Sequence, residues 1–315
     1  MRGSKLTGSF VALITPFNKD GSVDFAAFRT LLAFQQEHGT AAVLIMGSTG
    51  ETSMLSPEEK KRIIIECAKM KTARMPIFFG ATGNNTESTI ANVRFAKVNG
   101  ADGAILAAPA YICAPEADIE RFFLDVADAT ELPLGIYNNP PRVKSDLTWE
   151  HLLRIFKHPN YVVHKESTAR VGQVAQVLAA KPDVSVMCCD SPNLGLIVPT
   201  MSLGGHGTAN MTGNISPAEL ATISTPWMSY REAEDFSRLA GHAENNKCNY
   251  HYAHDRRRHL GHGAQRIDAF VLRLHAGEEP VDEASHQVDR KQHQKYPKDA
   301  FKQIVQRTLP ARIGQ

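Results

Sequence analysis

The sequence predicts an α/β protein built as a (β/α)8 barrel with a C-terminal helical extension. Three observations lead there. Short apolar runs recur about every 25 to 35 residues and alternate with helix-like stretches. There are eight such runs, most of them apolar throughout, as strands covered on both faces should be. The 315 residues also exceed the roughly 250 that such a barrel commonly uses, which leaves room for an extension. A doubly wound sheet is the alternative, but the first strand-to-helix turn has no G-x-G-x-x-G sequence.

In chain order the strand candidates are Ser9–Ile14, Ala42–Met46, Ile77–Gly80, Gly103–Ala107, Leu134–Tyr137, Val162–Lys165, Val184–Cys188 and Gly205–Ala209. After the second, Ser56-Pro57-Glu58-Glu59 supplies an N-cap, a proline at the first helical position and acidic residues suited to the helix dipole. The run KKRIIIECAKMK continues that helix. Another begins at Glu116 and presents Ile119, Phe122, Phe123 and Val126 at amphipathic spacing. His38-Gly39 and Asn99-Gly100 are helix stops before the next strand. The barrel is expected over residues 1–225, and residues 226–315 form an atypical, helical C-terminal region.

Composition narrows the class. Apolar residues make up 43% of the chain and the net charge is +2, which argues against a nucleic-acid or other polyanionic partner. The N-terminus lacks a signal-peptide pattern, and no run of apolar residues reaches membrane-spanning length, so neither export nor a membrane is expected. Five cysteines without metal-ligand spacing fit reduced thiols in the cytoplasm.

Chemistry in such a barrel belongs at the C-terminal ends of the strands. Gly47-Ser48-Thr49-Gly50-Glu51 follows the second strand, Ala108-Pro109-Ala110-Tyr111 the fourth, Tyr137-Asn138 ends the fifth, and Lys165-Glu166-Ser167 closes the sixth. Behind Val162-Val163-His164, Lys165 would point into the barrel, where burial favours the neutral amine that attacks a ketone. Its plain alternative is an ion pair with Glu166 or a neighbouring acid. Ser48 to Glu51 would offer backbone N–H groups and hydroxyls to a carboxylate, or form only a tight turn. Tyr137 is placed to pass protons, or simply to pack with its hydroxyl satisfied. Arg142 would clamp an anionic substrate, or lie on a solvated loop.

Taken together these segments resemble the dihydrodipicolinate synthase and N-acetylneuraminate lyase family. The resemblance is carried by GSTGETSMLSPEEK at Gly47–Lys60, PLGIYNNPPR at Pro133–Arg142, HKES at His164–Ser167 and LGGHGTAN at Leu203–Asn210, with GSFVALITPFNKDGSVD opening the chain. It covers roughly residues 5–225. It implies a TIM barrel in which Lys165 forms a Schiff base with pyruvate and Tyr137 relays protons. Thr49 would hydrogen-bond Tyr137, and Tyr111 would complete the relay from a neighbouring subunit of a homotetramer. Ser48, Thr49, Gly50 and Glu51 would hold the keto acid, Ala209 would line the same pocket, and Arg142 would grip an acidic aldehyde. Neither a metal nor an organic cofactor is implied.

Departures from the family leave alternatives open. Ala110 replaces an aromatic residue, Ser48 stands where many synthases have threonine, and Cys189 where glycine is common. Pro57, Lys60 and Ser88 differ from residues lining the lysine-inhibition site of enterobacterial-type synthases, which implies weak lysine feedback. After about Tyr230 the family's C-terminal patterns are absent. The region instead carries a basic run from His254 to His259, and His259 and His262 three residues apart. The alternatives are an aldolase or dehydratase for a 2-keto-3-deoxy sugar acid, or an inactive keto-acid-binding protein.

Overall fold

The computed structural model describes residues 5–191 and 195–227. Eight parallel strands close into a barrel in chain order, with β8 returning to pair with β1. They are β1 (Gly8–Ala12), β2 (Ala42–Ile45), β3 (Ile77–Gly80), β4 (Gly103–Leu106), β5 (Leu134–Asn138), β6 (Tyr161–Glu166), β7 (Ser185–Cys188) and β8 (Gly207–Asn210). The helices before β5 are α1 (Phe25–Glu37), α2 (Pro57–Ala68), α3 (Thr86–Val98) and α4 (Glu116–Asp128). After it come the one-turn α5 (Pro140–Val143), then α6 (Trp149–Ile155), α7 (Val171–Ala179), α8 (Ile197–Ser202) and α9 (Pro217–Ile223).

Every expected strand is present, with ends displaced by two residues at most. Two of those shifts have clear causes. Ile14 leaves the ladder because its N–H donates to Asn214 Oδ1 at 3.1 Å. Gly205 belongs to the turn after α8, where its N–H donates to the Thr200 carbonyl at 2.8 Å, so β8 begins only at Gly207. The start of α2 is as expected: Ser56 Oγ accepts from the Glu59 N–H, the Glu59 carboxylate accepts from the Ser56 N–H, and Pro57 opens the helix. Helices α1 and α3 stop at His38 and Asn99.

Strand alternation divides the side chains into two sets. Phe10, Ala12, Ala42, Leu44, Phe78, Ile105, Val163, Met187 and Ala209 pack together inside the barrel, with Tyr137 against them. Phe10 and Phe78 meet edge to face, ring centres 5.3 Å apart. Room for the Phe78 ring exists because β4 starts with Gly103, where a Cβ would lie 2.1 Å from that ring. The opposite set faces the helices: Cys188 packs with Val174, Leu196, Ile197, Met201, Leu220 and Ile223 of α7 to α9 and their approaches.

No helix among the described residues is long and apolar enough to cross a membrane. The expected C-terminal helical region at 226–315 lies outside the described residues, apart from its first two. So do the basic run, His259, His262 and Cys248.

Candidate active site

Parallel register brings the main candidates together. Lys165 on β6 is level with Tyr137 on β5 and with Met187 on β7. Both Lys165 and Tyr137 share the inward parity of Val163, so they rise from the apolar interior towards the C-terminal mouth. Lys165 is 5% exposed, and its Nζ lies 4.4 Å from the centre of the Tyr137 ring. That is cation–π distance, and among the described residues the ring face is the one close partner of Nζ.

Glu166 does not pair with Lys165. It is the next residue on the strand and therefore points to the other face, where it is 1% exposed. There its Oε2 lies 3.1 Å from His164 Nε2 and accepts from Gln173 Nε2 at 2.9 Å. Its Oε1 accepts from the N–H groups of Ser167 at 2.9 Å and Thr168 at 3.0 Å, and from Asn138 Nδ2 at 3.4 Å. Burial pushes the carboxyl up, but the hydrogen bond and charge of the His164 ring, with Gln173 and the Ser167 N–H, outweigh it. The net result holds Glu166 below the ordinary carboxylate range. The expected alternative for Lys165, an ion pair with this acid, is thereby excluded.

The Ser48–Glu51 turn hangs over the same mouth after β2. Met46 leaves the strand at φ 58°, and its carbonyl leans on β3, where a Cβ on Gly80 would lie 2.1 Å away. The N–H groups of Gly50 and Glu51 donate to the Gly47 and Ser48 carbonyls at 3.0 and 3.3 Å, so they close the turn and do not serve as anion donors. Thr15 Oγ1 ties the turn down by donating to the Gly50 carbonyl at 2.6 Å. Ser48 and Thr49, which bring the turn's two hydroxyls, are both half-buried.

Thr49 does not hydrogen-bond Tyr137. The Tyr137 hydroxyl instead accepts from the side-chain amide of Asn139. Arg142, on α5, is exposed. Tyr111 is 95% exposed, with φ at 81°, a backbone conformation rare outside glycine, and it does not reach this chain's own Tyr137. Ala209 sits in the interior wall on β8, level with Phe10. Cys189 is buried one step beyond β7, where its N–H donates to the Glu166 carbonyl at 2.8 Å.

The residues to which sequence reasoning gave no role are the supports: Asn138, Asn139, His164 and Gln173. Asn138 donates to Asp146 Oδ1 and to the Leu147 carbonyl as well as to Glu166, so it fastens the loop after β5 to β6. His164 and Glu166 were recoverable as a same-face pair, since residues two apart on a strand share a side.

Residues 5–238 match the dihydrodipicolinate synthetase family. A 4-hydroxy-tetrahydrodipicolinate synthase from Gluconacetobacter diazotrophicus is 36% identical over 237 residues, covering 74% of this chain and 78% of that one. Among solved structures, the synthase from Methylacidiphilum fumariolicum SolV superposes with a TM-score of 0.70 at 27% identity, over 76% of this chain and 79% of that one. A dihydrodipicolinate synthase from Acinetobacter baumannii, solved in complex with pyruvate, gives 0.69 at 28% identity, over 91% and 97% of the two chains. With this similarity spanning the whole barrel, the chain belongs to the dihydrodipicolinate synthetase family.

Proposed function

We propose that the protein is a Schiff-base lyase that joins pyruvate to an aldehyde bearing a carboxylate, as a 4-hydroxy-tetrahydrodipicolinate synthase does. The observation that carries this is the pairing of Lys165 and Tyr137 at the barrel mouth, Nζ over the ring at 4.4 Å, in a chain whose relatives are such synthases.

The chemistry follows from the positions. Pyruvate's carboxylate docks on the hydroxyls of Ser48 and Thr49, which directs its ketone at Lys165. Nζ adds to the keto carbon, the former carbonyl oxygen collects protons through Tyr137, and water leaves an iminium. The iminium draws electrons from the methyl group, whose proton is lost to give an enamine. The enamine carbon then attacks the aldehyde carbon, whose oxygen takes up a proton while Arg142 holds the aldehyde's own carboxylate, and water cleaves the resulting iminium to release the product and free Lys165. The covalent lysine adduct supplies the electron sink without any other group.

Tyr111, protruding on a strained loop, is assigned to a neighbouring subunit's relay within a homotetramer, and Gly50, Glu51 and Ala209 shape the pyruvate pocket from backbone and wall. The barrel of residues 1–225 carries all of these groups.

The test is turnover with pyruvate and a series of aldehydes matched in length but differing in a terminal carboxylate. Rapid consumption of the acidic members, lost in Arg142→Ala through a raised KM, is the expected result. Preference for neutral polyhydroxy aldehydes, or release of pyruvate from a 2-keto-3-deoxy sugar acid, would replace this reading with the catabolic one.

A further inference from the structure

We infer that Asn139 is a positioning residue for Tyr137, whose phenol it orients by donating from its side-chain amide. The inference rests on the Schiff-base reading above. Asn139 is 6% exposed, and its Nδ2 donates to the Tyr137 hydroxyl oxygen. An amide NH2 group only donates, so this bond occupies a lone pair of the phenol and leaves the phenol's own O–H to point elsewhere. That orientation suits a group that must give up a proton and recover it within one turnover.

The local sequence explains why the amide is available. Asn139 is the N-cap of α5, a position where asparagine ordinarily turns its side-chain oxygen to the N–H of the second or third helical residue. It makes no such bond here. The first two helical residues are Pro140 and Pro141, which have no N–H to offer. The next two, Arg142 and Val143, donate to the Asn139 backbone carbonyl at 3.0 and 3.2 Å. With local donors absent or already used, the side chain is released to turn back to Tyr137. Its neighbour Asn138 serves the other face of the strand, on Glu166 and Asp146. Two consecutive asparagines thus support the two faces of β5.

The experiment uses full-length Asn139→Leu and Asn139→Asp. Leucine removes the donor at similar size, and aspartate keeps the shape while offering only acceptors. For each, kcat is measured across pH, alongside borohydride trapping of pyruvate and thermal unfolding. Both variants are expected to lower kcat by roughly tenfold or more. The kcat–pH profile should change in both variants, most in the aspartate variant, while trapping on Lys165 persists. Native kcat and an unshifted profile in either variant would overturn the inference, as would a loss of activity that follows the loss of folded protein with no change in profile. Failure of the wild-type chain to trap pyruvate overturns the Schiff-base reading, and this inference with it. Trapping by wild type with unaltered Asn139 variants overturns this inference alone.

Discussion

The interior and exterior faces of the β5–β6 ladder are made from alternate residues of the same two strands, yet they treat their polar groups differently. On the exterior face both oxygens of Glu166 are engaged, by His164, Gln173, Asn138 and two backbone N–H groups. On the interior face the Nζ of Lys165 lies over an aromatic ring, and among the described residues no acid is in salt-bridge contact with it. A buried carboxylate held by five partners is fixed in place, and an uncommitted nucleophile is reactive. One face therefore fixes the strand ends so that the other can present its chemistry accurately.

The largest way to break this contrast is Lys165→Ala. It should lower turnover by roughly a thousandfold or more while the thermal transition stays within a few degrees of wild type. A variant with native turnover would place the chemistry elsewhere. Glu166→Leu should do the reverse and act first on folding. Removing one member of a buried pair costs about 3–5 kcal/mol, measured as a shift of the denaturant midpoint. The pH dependence has a definite sign. The folded-state pKa of Glu166 is depressed, so its contribution is present above the unfolded value near about 4.3 and is lost as pH falls towards the folded value. Wild type should therefore lose stability in acid more steeply than Glu166→Leu, and parallel acid curves would contradict the network's role.

Away from both faces, Ser56→Ala should cost about 1 kcal/mol by removing the N-cap of α2, without changing kcat. The smallest effect expected is that of added lysine. Ser88 is occupied in the capping box of α3 with Asn85, and Pro57 opens α2, so two of the three departures from the feedback site have structural work of their own. Submillimolar lysine should leave turnover unchanged, and clear inhibition would show that the site persists despite them.

The barrel was legible because its strands are covered on both faces and stand out as separate apolar runs. The end of β1 and the start of β8 were not, since they depend on Asn214 and Thr200, which are distant or across a turn. Lys165 and Tyr137 were legible by the same logic: strand ends with matching parity meet at one mouth. The alternative of an ion pair between Lys165 and Glu166 fails because adjacent strand residues face opposite ways. The Gly50 and Glu51 amides looked available because a turn's internal bonds are invisible until its dihedrals are known. Asn139 escaped notice because its bond to Tyr137 depends on how the Pro140-Pro141 segment turns back, which neither periodicity nor residue type encodes.

The central claim is that Lys165 attacks pyruvate. Its direct test is intact-protein mass after borohydride reduction in the presence of pyruvate, followed by peptide mapping. The account predicts one pyruvate-derived adduct per chain, on the peptide containing Lys165 and absent in Lys165→Ala. Folded protein that gains no adduct, or gains it on another lysine, would contradict it.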